Sequence, residues 1–504
     1  MRTILVLVSC ALLAAAPRPP QPSSSGLLLA NGTVVDGSGG PRRTASVRIR
    51  GDRIVEIAPD LEPASGEQVV DVSGLVVAPG FIDMHSHADR GLEEHPDAAS
   101  QVMQGVTTAL VGQDGGSALP LSDFFERIER LSPAINYASS VGHGTVRSVV
   151  MGGDFRRAAT ADEIRTMRAL VDRAMRDGAV GLSSGLEYDP GFYATKEEVI
   201  EVARAAAAHG GLYSSHVRDE ENEVFAAWRE AIDVGRQAGM PVQISHIKLA
   251  SKPVWGRSDE AVRLLEDARR DGVDVMADWY PYTYWQSSIY VLIPDRDFSN
   301  RAKWTTGLDE IGGAANVLVT NYRPDSSYNG RTIEEIAKAE DTDPVTLIIR
   351  MIDAAGPGIG IIGTSMTGED LARFAAHPQV LICSDGGLTG RHPRGYGAFP
   401  RVLGRYVRED GVISLEEAIA KMTSRSAARI GMPDRGLIAP DKVADIVVFD
   451  PKTIVDRGTP AEPSLAPVGM RHVIVNGEIV LRDGRQTEAR PGRPLRRFAA
   501  DGKW

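Results

Sequence analysis

Two cysteines in 504 residues, Cys10 and Cys383, are too few for a disulfide framework or a cysteine-rich zinc module. A metal site in this chain has to be assembled mainly from His, Asp and Glu. Positive charge is in deficit: 56 Lys and Arg face 67 Asp and Glu, a net charge of −11. The clustered basic surface that a phosphate backbone demands is therefore missing, and no nucleic-acid partner is expected. Aromatic residues amount to 6% and add nothing to that case. Long apolar runs are also absent: residues 4–16 fall short of the about 20 that a bilayer span requires, and no later stretch reaches it. The 42% hydrophobic content that is present suffices for a sizeable core and argues against wholesale disorder.

The N-terminus has the form of a processing signal. Met1-Arg2, the apolar run 4–16 and the Pro- and Ser-rich residues 17–25 follow the order of a secretory signal peptide and linker, so an exported, periplasmic or secreted protein is expected. Leu7-Val8-Ser9-Cys10 also resembles a lipoprotein box, but the apolar run continues past Cys10 instead of ending there.

Residues 26–79 carry short β-rich runs separated by Asn31-Gly32, Gly51-Asp52 and Ser73-Gly74 turns. The same style returns in 436–490, with an Asn476-Gly477 hairpin turn, ahead of a tail at 491–504. The two ends are expected to pair into one small β-sandwich domain. Between them, near-continuous apolar strands such as 81–84, 106–111, 242–245 and 380–383 alternate with amphipathic helices, as a parallel sheet buried on both faces requires. Capping boxes at Thr160/Glu163, Thr195/Glu198, Thr332/Glu335 and Ser414/Glu417 mark helix starts. The expected fold class is α/β: a (β/α)8 TIM-like barrel over 80–435, with an insertion at about 284–379 between the last two strands as a lid or second lobe.

The chemistry gathers where strands end. Residues 81–84 end in His85-Ser86-His87, 106–111 in Gly112-Gln113-Asp114, 212–215 in His216, 242–245 in His246, and 380–383 lead through Ser384 to Asp385. In such a barrel the C-terminal strand ends meet at one face, so His85, His87, Asp114, His216, His246 and Asp385 are expected to converge on metal. His85 and His87, two apart on an extended segment, project to the same side. Imidazole and carboxylate donors suit zinc, as one or two ions, with manganese, iron or cobalt as alternatives. A lone strand-end His is usually a hydrogen-bonded core residue; the matched positions on five strands favour the metal reading. Asp114 stands apart, because Gln-Asp-Gly-Gly is also ordinary turn chemistry. The remaining His residues read as structural, His143 being the first exception to consider, and Cys383 as a buried packing residue.

At this point the chain resembles the amidohydrolase superfamily, and within it the N-acyl-D-amino-acid deacylase (D-aminoacylase) family. The resemblance spans about residues 27–483. Its carriers are Pro79-Gly80-Phe81-Ile82-Asp83-Met84-His85-Ser86-His87, Gly181-Leu182-Ser183-Ser184-Gly185-Leu186, His216-Val217-Arg218-Asp219-Glu220, Ser245-His246-Ile247-Lys248, Tyr280-Pro281-Tyr282, Ser384-Asp385-Gly386, His392-Pro393-Arg394 and Phe399-Pro400-Arg401. It implies one metal position at His85, His87 and Asp385, and a second at His216 and His246 with a cysteine after the second strand. Here that cysteine is Asp114, in Gly112-Gln113-Asp114-Gly115. Glu187 is an alternative bridging ligand, ranked below an outward or structural role.

The resemblance further implies hydrolysis of the amide bond of N-acyl, D-configured amino acids. Asp385 would serve as general base and then acid, with Lys248, Tyr280 and Arg394 on the substrate's α-carboxylate and Arg394 as a bidentate clamp. The bulky Thr283-Tyr284-Trp285-Gln286-Ser287-Ser288 is expected to reshape the acyl pocket. Three rivals share the scaffold: a dipeptidase, a cyclic-amide hydrolase, and a non-catalytic binding protein. The cyclic-amide hydrolases place a carboxylated lysine on the fourth strand, where this chain has none; Lys196 falls on the next helix start. The intact His and Asp set argues against a binding protein.

Overall fold

The computed structural model describes residues 26–497. The expected signal segment, with Cys10, lies outside the described residues. Eight parallel strand positions run round the central domain: β1 (Phe81–Asp83, resuming as Ser86–His87), β2 (Val106–Val111), β3 (Asn136–Ser139, resuming as Val141–Gly142), β4 (Gly181–Gly185), β5 (Leu212–His216), β6 (Val242–Ile244), β7 (Val275–Trp279) and β8 (Val380–Ile382, resuming as Gly386–Gly387). Each pairs with the next in parallel register, and the second part of β8 pairs with the second part of β1 at Gly386/Ser86 and Gly387/His87. The ladder therefore closes into the expected barrel. β1 breaks its ladder for two residues and β8 for three, where His85 and Asp385 turn out of the sheet.

The strands read as apolar because both faces are buried: Val106–Val111 and Leu212–His216 are buried at every position. Helices such as Ala161–Asp177, Lys196–Ala207 and Val224–Ala238 cover the outside. The Thr160/Glu163 and Thr332/Glu335 boxes are reciprocal. At Thr195 and Ser414 only the hydroxyl half is present. Glu198 turns instead to His143 and Arg147, at 3.1 and 2.8 Å, and Glu417 to Arg425. In both cases a guanidinium, buried at Arg147 and half-buried at Arg425, takes the carboxylate in place of the backbone N–H.

Both chain ends join one nine-stranded sheet. Val76–Pro79 pairs antiparallel with Ile446–Phe449, so the N-terminal strands continue into the C-terminal ones without a break. Leu29, Val47, Ile54, Ile446, Val448 and Ile474 share one core, which this sheet encloses by curling over itself. Residues 491–497, the described part of the expected tail, pack onto the barrel. Leu495 is fully buried, and its N–H donates to Tyr137 O at 2.7 Å beneath β3.

Between β7 and β8 a three-stranded antiparallel sheet places Gly360–Gly363 between Trp285–Ser288 and Val317–Asn321. Helices Arg301–Glu310, Ile333–Ala339 and Pro344–Ala355 accompany it, with Trp304 wholly buried. Among the described residues no helix is long and apolar enough to cross a membrane.

Candidate metal centre

The strand-end residues meet at one mouth of the barrel, and three of them pay a backbone cost to do so. Asp114, His246 and Asp385 have φ of 54°, 34° and 49°, in the left-handed region that non-glycine residues enter rarely and mostly at functional sites. Each is pinned. Gly112 and Gly115, themselves at positive φ, flank Asp114, and Ser183 clamps both ends of that loop: its hydroxyl donates to Gly112 O at 2.6 Å and accepts from Gly115 N–H at 3.2 Å. A side chain at Gly112 would put Cβ 2.2 Å from Ser140 O. His246 N–H donates to Asp278 Oδ1 at 2.7 Å. Asp385 N–H donates to His85 O at 2.8 Å, and the Asp83 carboxylate accepts from Ser384 N–H at 2.8 Å and from its hydroxyl at 2.5 Å, tying β1 to β8. Burial raises the Asp83 pKa to about 6 against these hydrogen bonds.

Asp114 stands among three imidazoles. Its Oδ1 is 3.2 Å from His85 Nε2 and 3.4 Å from His246 Nε2, and its Oδ2 is 3.2 Å from His87 Nε2. Asp385 Oδ1 lies 3.3 Å from His87 Nε2 and 3.7 Å from His85 Nε2. Ligand atoms of His85, Asp114, His246 and Asp385 all fall within 4.8 Å of one another, as do those of His216, Glu220 and His246. Burial opposes a charge on His87, but Asp114 and Asp385 outweigh it and raise its pKa to about 9. Burial pushes His216 the other way, to about 4. Asp385 is held well below the usual carboxylate range against its burial, by Arg394 first and then His246.

The donor set fits a divalent ion. Both ring nitrogens of His85 and Oδ1 of Asp114 are buried without a properly directed hydrogen bond, although they approach each other to 3.2 Å. Buried polar atoms left this way are uncommon and call for a partner. The His85 nitrogens and Asp114 Oδ1, brought together with His246 and Asp385 but without such a bond between them, are arranged as ligands of a common cation.

Lys248, Tyr280 and Arg394 line the same cavity of about 590 Å³. Two of the three are already engaged. Lys248 Nζ donates to Glu220 Oε1 at 2.6 Å, and Arg394 Nη1 pairs with Asp385 Oδ2 at 2.6 Å, so the free bidentate fork expected of Arg394 is already engaged on one side. Tyr280 Oη is buried without a partner. Trp285, Gln286, Ser287 and Ser288 form part of the wall, with Tyr290, Thr320 and Asn321 from the insertion, which therefore overhangs the site. Thr283 and Tyr284 are not part of that wall; Tyr284 packs on His392 instead.

Glu187 corrects the outward placement expected of it. It is 6% exposed, lines the cavity, and puts Oε2 2.8 Å from His216 Nε2. The neighbouring Tyr188 ring lies against His216, tilted by 36° with centroids 4.2 Å apart. Two further carboxylates escaped the sequence reading. Glu220 lies four residues past the strand-end His216, on a loop whose direction residue types do not reveal. Asp278 is a charge in the otherwise apolar β7, a signal that was available. His143 is buried against Glu198 outside the cavity, and Cys383 is buried in packing. His392, read as structural, lines the cavity and accepts Arg394 N–H on Nδ1 at 3.0 Å.

Comparison with known proteins adds three findings. A family model described as Amidohydrolase family matches residues 68–283 and 324–481. The D-aminoacylase of Alcaligenes xylosoxydans xylosoxydans is 38% identical over 94% of this chain and 98% of its own. Two solved structures superpose with a TM-score of 0.83. One, from work on the binuclear metal center of D-aminoacylase, is 38% identical over 94% of this chain and 99% of its own. The other, the N-acyl-D-glutamate deacylase of Bordetella bronchiseptica with zinc and a phosphonate mimic of the tetrahedral intermediate, is 35% identical over 93% and 99%.

Proposed function

The chain belongs to the amidohydrolase family, and from that premise we propose that it is a metal-dependent hydrolase of the amide bond in N-acyl-D-amino acids, releasing a carboxylate and the free amino acid. The observation that carries this reading is the placement of His85, Asp114, His246 and Asp385 within mutual ligand distance, with His87 against Asp114 and Asp385 and His216 beside His246, in a cavity large enough for such a substrate. The similarity to D-aminoacylase supports the substrate class.

His85, His87 and Asp385 would hold one divalent ion, zinc in the first place, and His216, His246 and Asp114 a second. When bound, such an ion supplies Lewis acidity to the scissile carbonyl and lowers the pKa of water toward about 7. Asp385 accepts the proton of the attacking water on Oδ1 and delivers it to the leaving amine nitrogen. Tyr280 Oη, buried and unpaired, donates to the substrate, and Arg394, shared with Asp385, meets the α-carboxylate. Lys248 adds positive charge to that wall while neutralising Glu220. The overhanging Trp285 and Tyr290 narrow the side where the acyl or side-chain group must lie and exclude water from it. The proposal extends to export, supported by the apolar run 4–16 behind Arg2.

The test is amine release from paired N-acetyl-D- and N-acetyl-L-amino acids and from short dipeptides, by zinc-loaded protein. Release from the D-series supports the reading; release from dipeptides alone would replace it with a dipeptidase.

A further inference from the structure

We propose that Glu187 is a positioning residue that fixes the tautomer of His216 and thereby presents its Nδ1 as a cation donor. The inference rests on the metal-dependent reading above. His216 has two ring nitrogens with different neighbours. Nε2 lies 2.8 Å from Glu187 Oε2, whereas Nδ1 lies 3.0 Å from His246 Nε2, which is itself 3.4 Å from Asp114 Oδ1. In its carboxylate form Glu187 is an acceptor only, so the N–H of a neutral His216 paired with it belongs on Nε2 and the lone pair on Nδ1. That lone pair faces His246 Nε2 at 3.0 Å, which in turn lies 3.4 Å from Asp114 Oδ1. With the opposite tautomer, Nδ1–H would face His246 and Nε2 would set its lone pair against a carboxylate oxygen, which is repulsive.

Glu187 is held for this role from two sides. Its backbone oxygen accepts from Arg296 Nη2 at 2.5 Å, and Arg296 in turn lies over the Tyr290 ring at 4.2 Å, so the insertion anchors the segment. Tyr188 packs against the imidazole, its ring tilted by 36° at 4.2 Å, and restricts its rotation. A carboxylate behind a ligating histidine sets ring orientation and raises ligand basicity, and losing one typically weakens metal affinity about 10–100-fold. Glu187 therefore acts through His216 and is not itself the bridging ligand.

The experiment measures zinc binding to the full chain by competition with a chromogenic chelator, for wild type and for Glu187→Gln, Glu187→Asp and Glu187→Leu, with the thermal midpoint of each metal-free protein alongside. We expect one of two zinc affinities to fall about 10–100-fold in Glu187→Leu and Glu187→Asp while the other is unchanged. Glu187→Gln, whose amide oxygen still accepts the Nε2–H, should stay within a few-fold of wild type. Should Leu not fold, Asp, which keeps the charge but withdraws the oxygen by one methylene, carries the comparison with Gln. Unchanged affinities in Asp and Leu, or a loss in Gln as large as in Asp, would overturn the positioning role alone. A wild-type protein that binds no zinc, manganese or cobalt would overturn the metal reading together with it.

Discussion

Replacing Asp385 by Asn removes a charge and a proton acceptor while leaving the side-chain shape almost unchanged. The backbone at this position has φ 49°, a conformation that Asn tolerates, and the Asp385 N–H to His85 O bond at 2.8 Å does not depend on the side chain. The substitution therefore leaves the turn between the two parts of β8 intact. Its structural cost lies in Arg394, whose guanidinium is nearly buried and pairs with Asp385 Oδ2 at 2.6 Å. An amide oxygen still accepts that bond but no longer carries a countercharge, so a loss of about 1–3 kcal/mol in stability is expected. The catalytic cost is larger. Positioned general acid–base groups are worth about 10²–10⁴ in rate, or about 2.7–5.4 kcal/mol of transition-state stabilisation. The assay is amine release at saturating zinc, with bound metal quantified in the same samples and the thermal midpoint followed by circular dichroism. A variant that holds its metal and keeps activity within tenfold of wild type would refute the assignment of proton transfer to Asp385.

Asp114→Cys should raise affinity for zinc and cadmium relative to manganese, since a thiolate is the softer donor; an unchanged zinc-to-manganese ratio in competition titrations would place Asp114 outside the ligand set. Tyr280→Phe deletes a hydroxyl that lacks a partner in the free protein, so the thermal midpoint should hold while kcat/KM falls about 2–10-fold, the worth of one hydrogen bond. Arg157 and the Thr160 cap hold the Glu163 pKa down at about 2. Its contribution is therefore present above the ordinary value near 4.5 and is lost as pH falls toward 2. In Glu163→Gln the pH dependence of the thermal midpoint should be flatter over that window, and an identical profile would show that the box contributes nothing measurable.

Much of this architecture is written in residue pattern. Strands buried on both faces have to be apolar, and a polar residue at the end of such a strand has somewhere specific to go. That is why His85, His87, Asp114, His216, His246 and Asp385 could be grouped from the sequence. The pairing of the chain ends through Val76–Pro79 and Ile446–Phe449 followed from like turn chemistry at both termini, although register did not. What escaped depends on direction. Glu187 and Glu220 follow their strands on loops, where nothing in residue type says whether a carboxylate faces solvent or an imidazole. Leu495 lies in a stretch with the composition of a tail, and its burial under β3 comes from tertiary pairing with Tyr137. The capping boxes at Thr195 and Ser414 were half legible for the same reason: Arg147 and Arg425, remote from the motif, claim the glutamates.

The central claim is that the buried cluster of imidazoles and carboxylates makes this chain a metal-dependent deacylase. The most direct measurement strips the protein with a chelator, restores zinc in steps, and follows amine release from N-acetyl-D- and N-acetyl-L-amino acids. The account predicts negligible release from the stripped protein and activity that returns with bound zinc and favours the D-series. Full activity in protein shown to be free of metal, or no release from any of these amides with zinc bound, would contradict it.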